Sequence, residues 1–517
     1  MASFSRLALF GLAFITLLRL VASAVVPYYF QPVGVSRRDV SAEQVAAELG
    51  PQLSNGTLIF GSSDPRWADA THRYNTLTPP HIEVFVEPAQ ESDISKIVKF
   101  CNHHSIDFMV VNRAHSYTLG PGAFKGLQIS MTNLRNISIQ PDGKTAWFQG
   151  GAYDGEANQF LWDRGYVGTT GACDCVGMMG PGLGGGHGRY EGIYGLIADN
   201  LVDMNVVLAD GSAIKVNEKT NSDLFWAMRG AGHNFGIVTS FQMNIFPKEV
   251  ETWHWHNYFW TQDKLEEVFD AMNKFNNNGS TPVLMAVNYG GFWWNHNVTN
   301  TEASIYWIFG YAGGAEEAEK LLEPFNKIPA ENGSGQGDLP YPEIATIQNT
   351  GLTGTLCVPN QKHIVATAGL QTYNIEIERK IYNTFNRMVA EYPDLKTAHI
   401  VHEGYSTEAV QKVASDSTAY PHRDDTLLMF FDTVIPDDGK LANVTKSWAA
   451  EVRGLWNAGQ PHRLPSTYVN YAAGDESIES MYGYEPWRLD RLNKLKAKYD
   501  PQNKFRYYNP IISNGQH

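Results

Sequence analysis

The stretch Gly171–Gly188 reads GACDCVGMMGPGLGGGHG, and the interpretation of the whole chain depends on it. It contains Cys173, Cys175 and His187 among many glycines, and it has no Lys, Arg or Glu. Clustered glycines are typical of backbone that adopts positive φ or that lets another group come very close. The stretch therefore predicts a loop that lies against a ligand, with an ordinary glycine-rich surface loop as the competing interpretation.

Three other kinds of site fit this stretch less well. Gly180–Gly185 satisfies G-x-G-x-x-G, but no apolar strand precedes it and Gly192 and Gly195 interrupt the helix that a Rossmann site needs. A zinc site would take its ligands from Cys173, Cys175, His115 and His187. Cys-x-Cys with scattered histidines is not the paired spacing of zinc ligands, so we expect no metal. A serine hydrolase would need a G-x-S-x-G elbow, which the chain lacks.

Composition and the N-terminus indicate where such a protein works. The 517 residues exceed one ordinary core, which favours two domains or one large composite. Residues 1–24 have the layout of a secretory signal peptide, and no later stretch is apolar enough to span a membrane. A formal net charge of -14 argues against nucleic acid as a partner. We therefore expect a secreted, monomeric protein with no membrane or nucleic-acid partner.

Glycosylation signals agree with a secretory route, whereas the cysteines give little framework. The chain has Asn-x-Ser/Thr sequons at Asn55, Asn136, Asn278, Asn297, Asn332 and Asn443. Four cysteines in so long a chain do not predict a disulfide framework, and Cys173 and Cys175 are too close together to bridge distant segments with each other. These two cysteines need another explanation.

Hydrophobic patterns predict two regions of mixed helix and strand. Strand Ile82–Val86, a helix capped by Ser92 and strand Ile106–Val111 form a βαβ-like unit, which places Asn112–Ser116 at the carboxyl end of a strand. From Glu251 the chain is rich in Trp and Tyr. Its predicted strands lie near Trp253–Phe259, Val283–Tyr289, Ser304–Tyr311 and Leu427–Val434, with helices near Gln262–Asn276, Ala315–Phe325 and Thr407–Ala414. This order predicts a second α+β domain with one antiparallel sheet.

Several motifs together carry a family resemblance. They are His115, the Cys173 loop with Gly184–Gly186, Asp223–Gly232, Phe235–Val238, Tyr468–Tyr471, Lys498–Pro501, Phe505 and Asn509–Ile511. In this order they resemble the berberine bridge enzyme-like FAD-linked oxidases, with a layout similar to the fungal members, over nearly everything after about residue 70. The resemblance implies an α+β fold in which a two-part FAD-binding domain of PCMH type is joined to a substrate domain with an antiparallel sheet. The expected ranges are 1–24 for the signal peptide, 25–70 for an N-terminal segment, 71–249 for FAD binding, 250–462 for substrate binding and 463–517 for a tail that completes the FAD site.

The resemblance also implies how FAD is held. The family's flavin-linked histidine matches His115, although Arg113 and Ala114 replace the two glycines that usually precede it. A second link in some members comes from the cysteine of G-x-C, which matches Cys173, and Cys175 is its rival. The residues that we expect at the cofactor are Asn112, Arg113, Ala114, His115, Ser116, Cys173, Gly177, Gly180, Gly184, Gly185, Gly186, Ile237, Val238 and Asn470.

Catalysis is expected at the Tyr-x-Asn-Tyr motif. Tyr471 matches the family's base, and Tyr468, Tyr405, Trp293 and Trp294 are expected around the substrate. A tyrosine with a pKa near 10 needs the flavin or a positive neighbour to act as a base at neutral pH. Some members use a glutamate shortly after the Pro-His-Arg turn, but Leu427–Phe431 occupies that place, so no glutamate is assigned.

The predicted activity is hydride transfer from a small organic substrate to covalently bound FAD, with reoxidation by O2 to hydrogen peroxide. A secondary metabolite is the preferred substrate, and the reducing end of an oligosaccharide is the alternative. A cyclase or oxygenase reaction, or a flavin-binding relic without turnover, also fits the resemblance.

Overall fold

The structure is a computed structural model that describes residues 39–276 and 280–512. The predicted signal peptide and Asn278 lie outside the described residues. Helices and sheets are mixed throughout, which confirms the predicted α+β class. No helix in the described ranges is long and apolar enough to cross a membrane.

The strands and helices are numbered in chain order. The strands are β1 (Leu58–Phe60), β2 (His81–Glu87), β3 (Phe108–Val111), β4 (Lys125–Ser130), β5 (Ile137–Ile139), β6 (Thr145–Gln149), β7 (Tyr166–Val167), β8 (Leu201–Val207), β9 (Ala213–Asn217), β10 (Ile237–Asn244), β11 (Phe246–Pro247), β12 (Trp253–Trp260), β13 (Met285–Trp293), β14 (Ser304–Tyr311), β15 (Gly335–Leu339), β16 (Lys362–Leu370), β17 (His399–Gly404) and β18 (Leu427–Ile435). The helices are α1 (Ala42–Glu48), α2 (Trp67–Ala70), α3 (Glu91–His103), α4 (Asp154–Trp162), α5 (Met179–Gly182), α6 (Glu191–Tyr194), α7 (Ser222–Ala231), α8 (Leu265–Phe275), α9 (Ala315–Asn326), α10 (Ile344–Ile347), α11 (Ile375–Glu391), α12 (Ala442–Ala458), α13 (Ile478–Tyr482) and α14 (Pro486–Tyr499).

The first sheet contains the predicted βαβ-like unit. Its strand order is β1-β2-β4-β3, with β2 and β3 both parallel to the β4 strand between them. Helix α3 buries Ile94, Ile97 and Cys101 against this sheet. The helix begins two residues earlier than predicted, because Gln90 rather than Ser92 is its N-cap and forms a capping box with Asp93.

A second sheet and the C-terminal helices complete this half of the molecule. The sheet order is β5-β6-β10-β8-β9, antiparallel throughout. Leu492 and Leu495 of α14 lie in the same hydrophobic core as Phe225 of α7 and Phe241 of β10. The tail therefore packs with the first part of the chain, as the predicted two-part domain requires.

The remaining half is built on one seven-stranded antiparallel sheet, ordered β15-β12-β14-β13-β17-β18-β16. Helices α8, α9, α11 and α12 cover one face of this sheet. The sequence patterns missed β15, β16 and β17, and the predicted helix at Thr407–Ala414 is wrong, because the chain there forms only turns. Ser415, Asp416 and Ser417 follow directly, and such short polar side chains compete with helical hydrogen bonds.

Candidate active site

A large cavity lies where the two halves meet. It encloses about 550 Å³ and is lined by the loop after β3, the segment Gly171–Pro181, the start of β10 and residues of β13, β14 and β17. Tyr468, Asn470 and Tyr471 from the C-terminal segment complete its wall. The predicted cofactor, substrate and catalytic motifs therefore meet in one place.

His115 occupies one wall of this cavity in a fixed orientation. Its ring stacks on Tyr74 with the ring centroids 3.8 Å apart, and Nε2 lies 2.8 Å from the carbonyl oxygen of Leu356. Since that carbonyl can only accept a hydrogen bond, Nε2 carries the proton. Burial lowers the pKa of His115 to about 4, so the ring is neutral at pH 7 and Nδ1 keeps its lone pair.

The residue before His115 has an unusual backbone conformation. Ala114 adopts φ 55°, a left-handed value that glycine tolerates more readily than alanine. The family's glycine at this position has a physical reason, and the alanine here retains the same turn. His115 therefore reaches the cavity despite the altered motif.

The sulfurs resolve the rivalry between Cys173 and Cys175. Cys175 forms a disulfide with Cys357, 182 residues along the chain, whereas Cys173 is a free thiol that lines the cavity. The sequence pattern does not indicate this bridge, because Cys175 pairs with a partner 182 residues away rather than with its neighbour Cys173. The disulfide also holds Leu356, the neighbour of Cys357, whose carbonyl contacts His115. Burial raises the pKa of the Cys173 thiol to about 12.

The zinc interpretation of this region fails on the same contacts. His115, Cys173 and Cys175 lie close together, but the sulfur of Cys175 belongs to the disulfide. His187 is engaged elsewhere, with Nδ1 2.9 Å from a Glu191 oxygen and Nε2 2.7 Å from the Tyr420 hydroxyl. Of the four side chains weighed as zinc ligands, Cys175 is therefore bonded to Cys357 and His187 is held by Glu191 and Tyr420.

The glycine-rich segment shapes the cavity partly from behind. A Cβ at Gly177 would lie 2.3 Å from Asn112 Nδ2, and one at Gly184 would lie 2.4 Å from Asn470 Oδ1. Gly184, Gly185 and Gly186 do not line the cavity themselves, because they pack against Asn470, Tyr420 and Ile197 respectively. These three glycines therefore support the wall from behind, and their direct contact with the cofactor stays a prediction.

The cavity wall contains the polar groups that a large anionic cofactor needs. Asn112 Oδ1, His233 Nδ1 and Gln348 Nε2 are buried at this wall with no hydrogen-bond partner among the described residues. Four cationic side chains line the same cavity, namely Arg73, Arg113, Lys504 and Arg506. Gln348 Nε2 and the four cations can donate to a diphosphate, as FAD would provide. Asn112 Oδ1 and His233 Nδ1, whose Nε2 donates to the Gly180 carbonyl, can accept from hydroxyl or N–H groups of the same cofactor.

Most of the predicted residues lie at this cavity. Those that line it are Asn112, Arg113, Ala114, His115, Ser116, Cys173, Gly177, Gly180, Ile237, Val238, Asn470, Tyr468, Tyr471, Tyr405 and Trp293. Trp294 does not, because it packs against the hydrophobic cluster beneath the helices of the seven-stranded sheet.

A buried carboxylate contacts the predicted base. The Tyr471 hydroxyl donates to Glu403 at 3.0 and 3.1 Å, and the Tyr405 hydroxyl donates to the same carboxylate at 2.8 Å. Tyr289 extends the chain, with its hydroxyl 2.8 Å from that of Tyr405. The expected helper was the flavin or a positive group, and the structure supplies an acidic one.

Burial changes the acid strengths in this network. Desolvation raises the pKa of Glu403 to about 7, and burial together with the Glu403 charge raises the pKa of Tyr471 well above 10. A carboxylate that is half ionised near neutral pH is suited to accept a proton. Sequence reasoning missed Glu403, which lies on β17 two residues before Tyr405, the residue that follows the strand; both line the cavity.

The fold and this cavity together define an FAD-dependent oxidoreductase. Residues 82–217 match the FAD binding domain family, and residues 467–512 match the berberine and berberine like family. The chain is 52% identical over 521 residues to the FAD-linked oxidoreductase OXR2 of Pyricularia oryzae, covering 99% of this chain and 100% of the relative. The chain therefore belongs to the berberine bridge enzyme-like FAD-linked oxidoreductases.

Solved structures of low sequence identity share the fold. A carbohydrate oxidase from Microdochium nivale, in complex with a substrate analogue, has a TM-score of 0.76 at 20% identity over 90% of this chain and 99% of its own. A glucooligosaccharide oxidase from Acremonium strictum, described with 6-S-cysteinyl, 8α-N1-histidyl FAD, has a TM-score of 0.73 at 22% identity over 91% and 99%. These likenesses support the PCMH-type architecture.

Proposed function

We propose that this protein is a secreted oxidase that removes a hydride from a hydroxyl-bearing carbon of a small organic substrate. The observation that carries the proposal is the contact between Tyr471 and the buried Glu403 at the wall of the FAD cavity. Bound FAD supplies the hydride acceptor, which O2 reoxidises with release of hydrogen peroxide.

The protein's contribution is a path for the substrate proton. The Tyr471 oxygen accepts the proton of the substrate hydroxyl as the proton of Tyr471 passes to Glu403. The negative charge of the Glu403 carboxylate thereby moves to the substrate oxygen, and Glu403 becomes neutral. Tyr405 donates a second hydrogen bond to the same carboxylate and fixes its orientation. Because burial and the Glu403 charge hold the pKa of Tyr471 well above 10, the tyrosine does not ionise at neutral pH, and the carboxylate is needed as the acceptor of its proton.

The cofactor site favours a covalent attachment. In the Acremonium oxidase the FAD is linked to a cysteine and to N1 of a histidine, and N1 of an imidazole is the Nδ1 atom. In this chain Nε2 of His115 is held by Leu356, so Nδ1 is the nitrogen with a lone pair, and Cys173 is the free sulfur. We therefore assign His115 Nδ1 and Cys173 Sγ as the attachment atoms.

Acid precipitation of the purified protein tests this attachment. We expect the yellow colour to stay with the pellet and a flavin-bearing peptide to contain Cys173. In a His115→Ala variant the histidyl link is lost, and in a Cys173→Ser variant the absorption spectrum shifts while flavin remains in the pellet through His115. Release of all flavin from the wild-type pellet would overturn the covalent assignment.

The substrate side of the cavity is aromatic, which suits a secondary metabolite. Trp293 lies with its ring centroid 5.0 Å from that of Tyr306 and 6.3 Å from that of Phe259. All three side chains line the cavity. A second candidate, an oligosaccharide, is favoured by the same wall, since sugars also stack on aromatic rings, and by the fold's likeness to carbohydrate oxidases.

A peroxide-release assay separates the two substrate classes. We expect turnover of aromatic or aliphatic alcohols of metabolite size and none of cello- or chito-oligosaccharides. Turnover of oligosaccharides alone would reverse the preference. Failure of every substrate to bleach the flavin absorbance anaerobically would instead favour a non-catalytic relic, and a ring-closed or oxygenated product would indicate a cyclase or oxygenase.

Three features support a secretory route. The N-terminal residues have the layout of a signal peptide, and the Cys175–Cys357 disulfide suits an oxidising compartment. The five sequon asparagines in the described ranges are all exposed, namely Asn55, Asn136, Asn297, Asn332 and Asn443. Culture supernatant should contain a protein that lacks residues 1–24, loses mass on endoglycosidase treatment and elutes as a monomer.

A further inference from the structure

A cluster of two histidines and a glutamate lies away from the flavin cavity. His254 and His256 are on β12, where successive side chains point to opposite faces of the sheet. Asn257 and Phe259 of the same strand line the cavity, so the two histidines point to the other face, which α9 covers. The histidines therefore belong to neither the cofactor site nor the substrate site.

One carboxylate oxygen of α9 lies between the two imidazole rings. Glu319 Oε1 is 2.8 Å from His254 Nε2 and 2.8 Å from His256 Nδ1. The three potential ligand atoms all lie within 4.8 Å of one another. Both histidines are buried, with 3% and 9% exposure, whereas the Glu319 side chain is 25% exposed. The cluster thus has an ordered inner side and one side open to solvent.

A second set of polar groups orients these three side chains. Asp338 Oδ1 lies 2.7 Å from His254 Nδ1, the nitrogen that faces away from Glu319. Asn326 donates to Glu319 Oε2 at 2.8 Å, and the Tyr258 hydroxyl lies 3.0 Å from His256 Nδ1. A carboxylate on the far nitrogen of a ligating histidine is the usual outer shell of a protein metal site.

We propose that His254, His256 and Glu319 bind a divalent first-row transition-metal ion, with Zn²⁺ the best match. Two imidazoles and one carboxylate are ligands of zinc, whereas calcium and magnesium prefer oxygen alone. Water completes the fourth position on the solvent side of Glu319. The site differs from the rejected cysteine and histidine set in residues, location and ligand chemistry.

The metal-free geometry is close to what binding requires. Ligand atoms about 2.0–2.2 Å from zinc at a tetrahedral angle lie roughly 3.4 Å apart. The observed 2.8 Å separations are hydrogen bonds, so each must open by about 0.6 Å when the metal replaces the protons on the two ring nitrogens. Glu319 is on a partly exposed helix face and has the freedom to make this shift.

Zinc binding to the tag-free flavoprotein tests the proposal directly. After treatment with chelator and exchange into metal-free buffer, equilibrium dialysis against Zn²⁺ should give one equivalent per chain, and Mg²⁺ should not compete. The melting temperature should rise with added Zn²⁺. Glu319→Gln and His256→Gln should each weaken Zn²⁺ binding by more than about 100-fold, and Asp338→Asn by about 10–100-fold, the range for outer-shell groups.

A matched control keeps the result interpretable. His296 is an exposed histidine of the same half of the molecule, with Asn300 as its hydrogen-bond partner, so His296→Gln should leave binding unchanged. Flavin content and the metal-free melting temperature report whether each variant is folded. If His256→Gln does not fold, Glu319→Gln carries the test. Absence of stoichiometric binding in the wild type, or unchanged binding in folded Glu319→Gln, would overturn the proposal.

Discussion

The glycine-rich wall of the cavity and the strand opposite it both shape the active site, but they do so by different means. Gly171–Gly188 shapes the cofactor side through glycines that lack a side chain, so that Asn112 approaches the backbone at Gly177 and Asn470 approaches it at Gly184. Strand β17 and Tyr471 shape the substrate side by the chemistry of large buried groups, Glu403 above all. The role of the first region depends on the space that its glycines leave, and the role of the second depends on the proton affinity of its side chains. Substitutions in the first region should therefore affect packing and stability, whereas substitutions in the second should affect the rate of catalysis.

The largest effect is expected from Tyr471→Phe, which tests the chemical side of this comparison. Loss of the hydroxyl removes the group that accepts the substrate proton, so kcat should fall by about 10²–10⁴-fold with flavin content unchanged. Peroxide release under saturating substrate measures this. Tyr306→Phe, which keeps the aromatic ring of the cavity wall, is the control, because the Glu403 carboxylate accepts its side-chain hydrogen bonds from Tyr405 and Tyr471. A loss within about threefold for Tyr471→Phe would contradict the assigned role.

Removing the disulfide tests how much the cofactor wall depends on being held in place. Replacing Cys175 and Cys357 together by Ser should lower the free energy of unfolding by about 2–4 kcal/mol, because the bridge closes a long loop. The fraction of flavin that stays in an acid pellet should also fall, since Leu356 then holds His115 less firmly. Urea titration and pellet absorbance measure the two effects. Cys173→Ser retains the bridge and should change stability by less than about 1 kcal/mol; equal losses in both variants would contradict the prediction.

The Glu403→Gln variant tests whether the proton affinity of Glu403 controls the rate of turnover. In the wild type, Glu403 is protonated below its pKa of about 7, so kcat should rise as the pH increases through that value and the carboxylate forms. The amide cannot accept the proton, so kcat should fall by about 10–100-fold and its pH dependence near 7 should disappear. Glu343→Gln, at an exposed position, should keep the wild-type profile. A variant that retains the rise near pH 7 would exclude Glu403 as its origin.

The smallest effect is expected from the addition of a single methyl group at Gly184, behind the cofactor wall of the cavity. A Cβ at Gly184 would lie 2.4 Å from Asn470 Oδ1 and 2.7 Å from Val469 Cγ1, so Gly184→Ala should cost about 1–3 kcal/mol of stability. Gly454→Ala on α12 is the control, because no atom of the described residues outside its own stretch of helix lies within 4 Å of that Cβ position and Gly454 is not among the residues that line the cavity. It should leave stability unchanged or raise it by up to about 1 kcal/mol, because alanine is the better helix former. Thermal unfolding of both variants measures the difference, and equal shifts would refute the crowding argument.

The sequence predicts the residues that shape the cofactor wall better than the residues that carry out proton transfer. Gly177, His115 and Cys173 lie within short motifs, and a motif keeps its meaning without knowledge of the remote chain. Glu403 acquires its role from burial and from Tyr471, 68 residues away, and neither is visible in a local pattern. The Cys175–Cys357 pair was missed for the same reason, because a sequence separation of 182 residues carries no information about distance.

Fold prediction shows the same division. A strand that is a short run of apolar and aromatic residues, such as Ser304–Tyr311, is predicted with the observed bounds. Strands β16 and β17 were missed, although β18 pairs with both of them, because nothing in the local pattern reveals that pairing. The helix predicted over Thr407–Ala414 is wrong because Ser415, Asp416 and Ser417 follow this segment, and short polar side chains compete with helical hydrogen bonds.

The Cys175–Cys357 bridge closes the chain between these two cysteines into a covalent ring, and the segments before Cys175 and after Cys357 extend from this ring as two tails. A single protease cut anywhere between these two cysteines opens the ring without releasing a fragment. The exposed segment around Glu331 and Asn332 lies inside the ring. A molecule nicked there would migrate as two pieces on a reducing gel, yet in an oxidising medium each piece would stay tethered to the other.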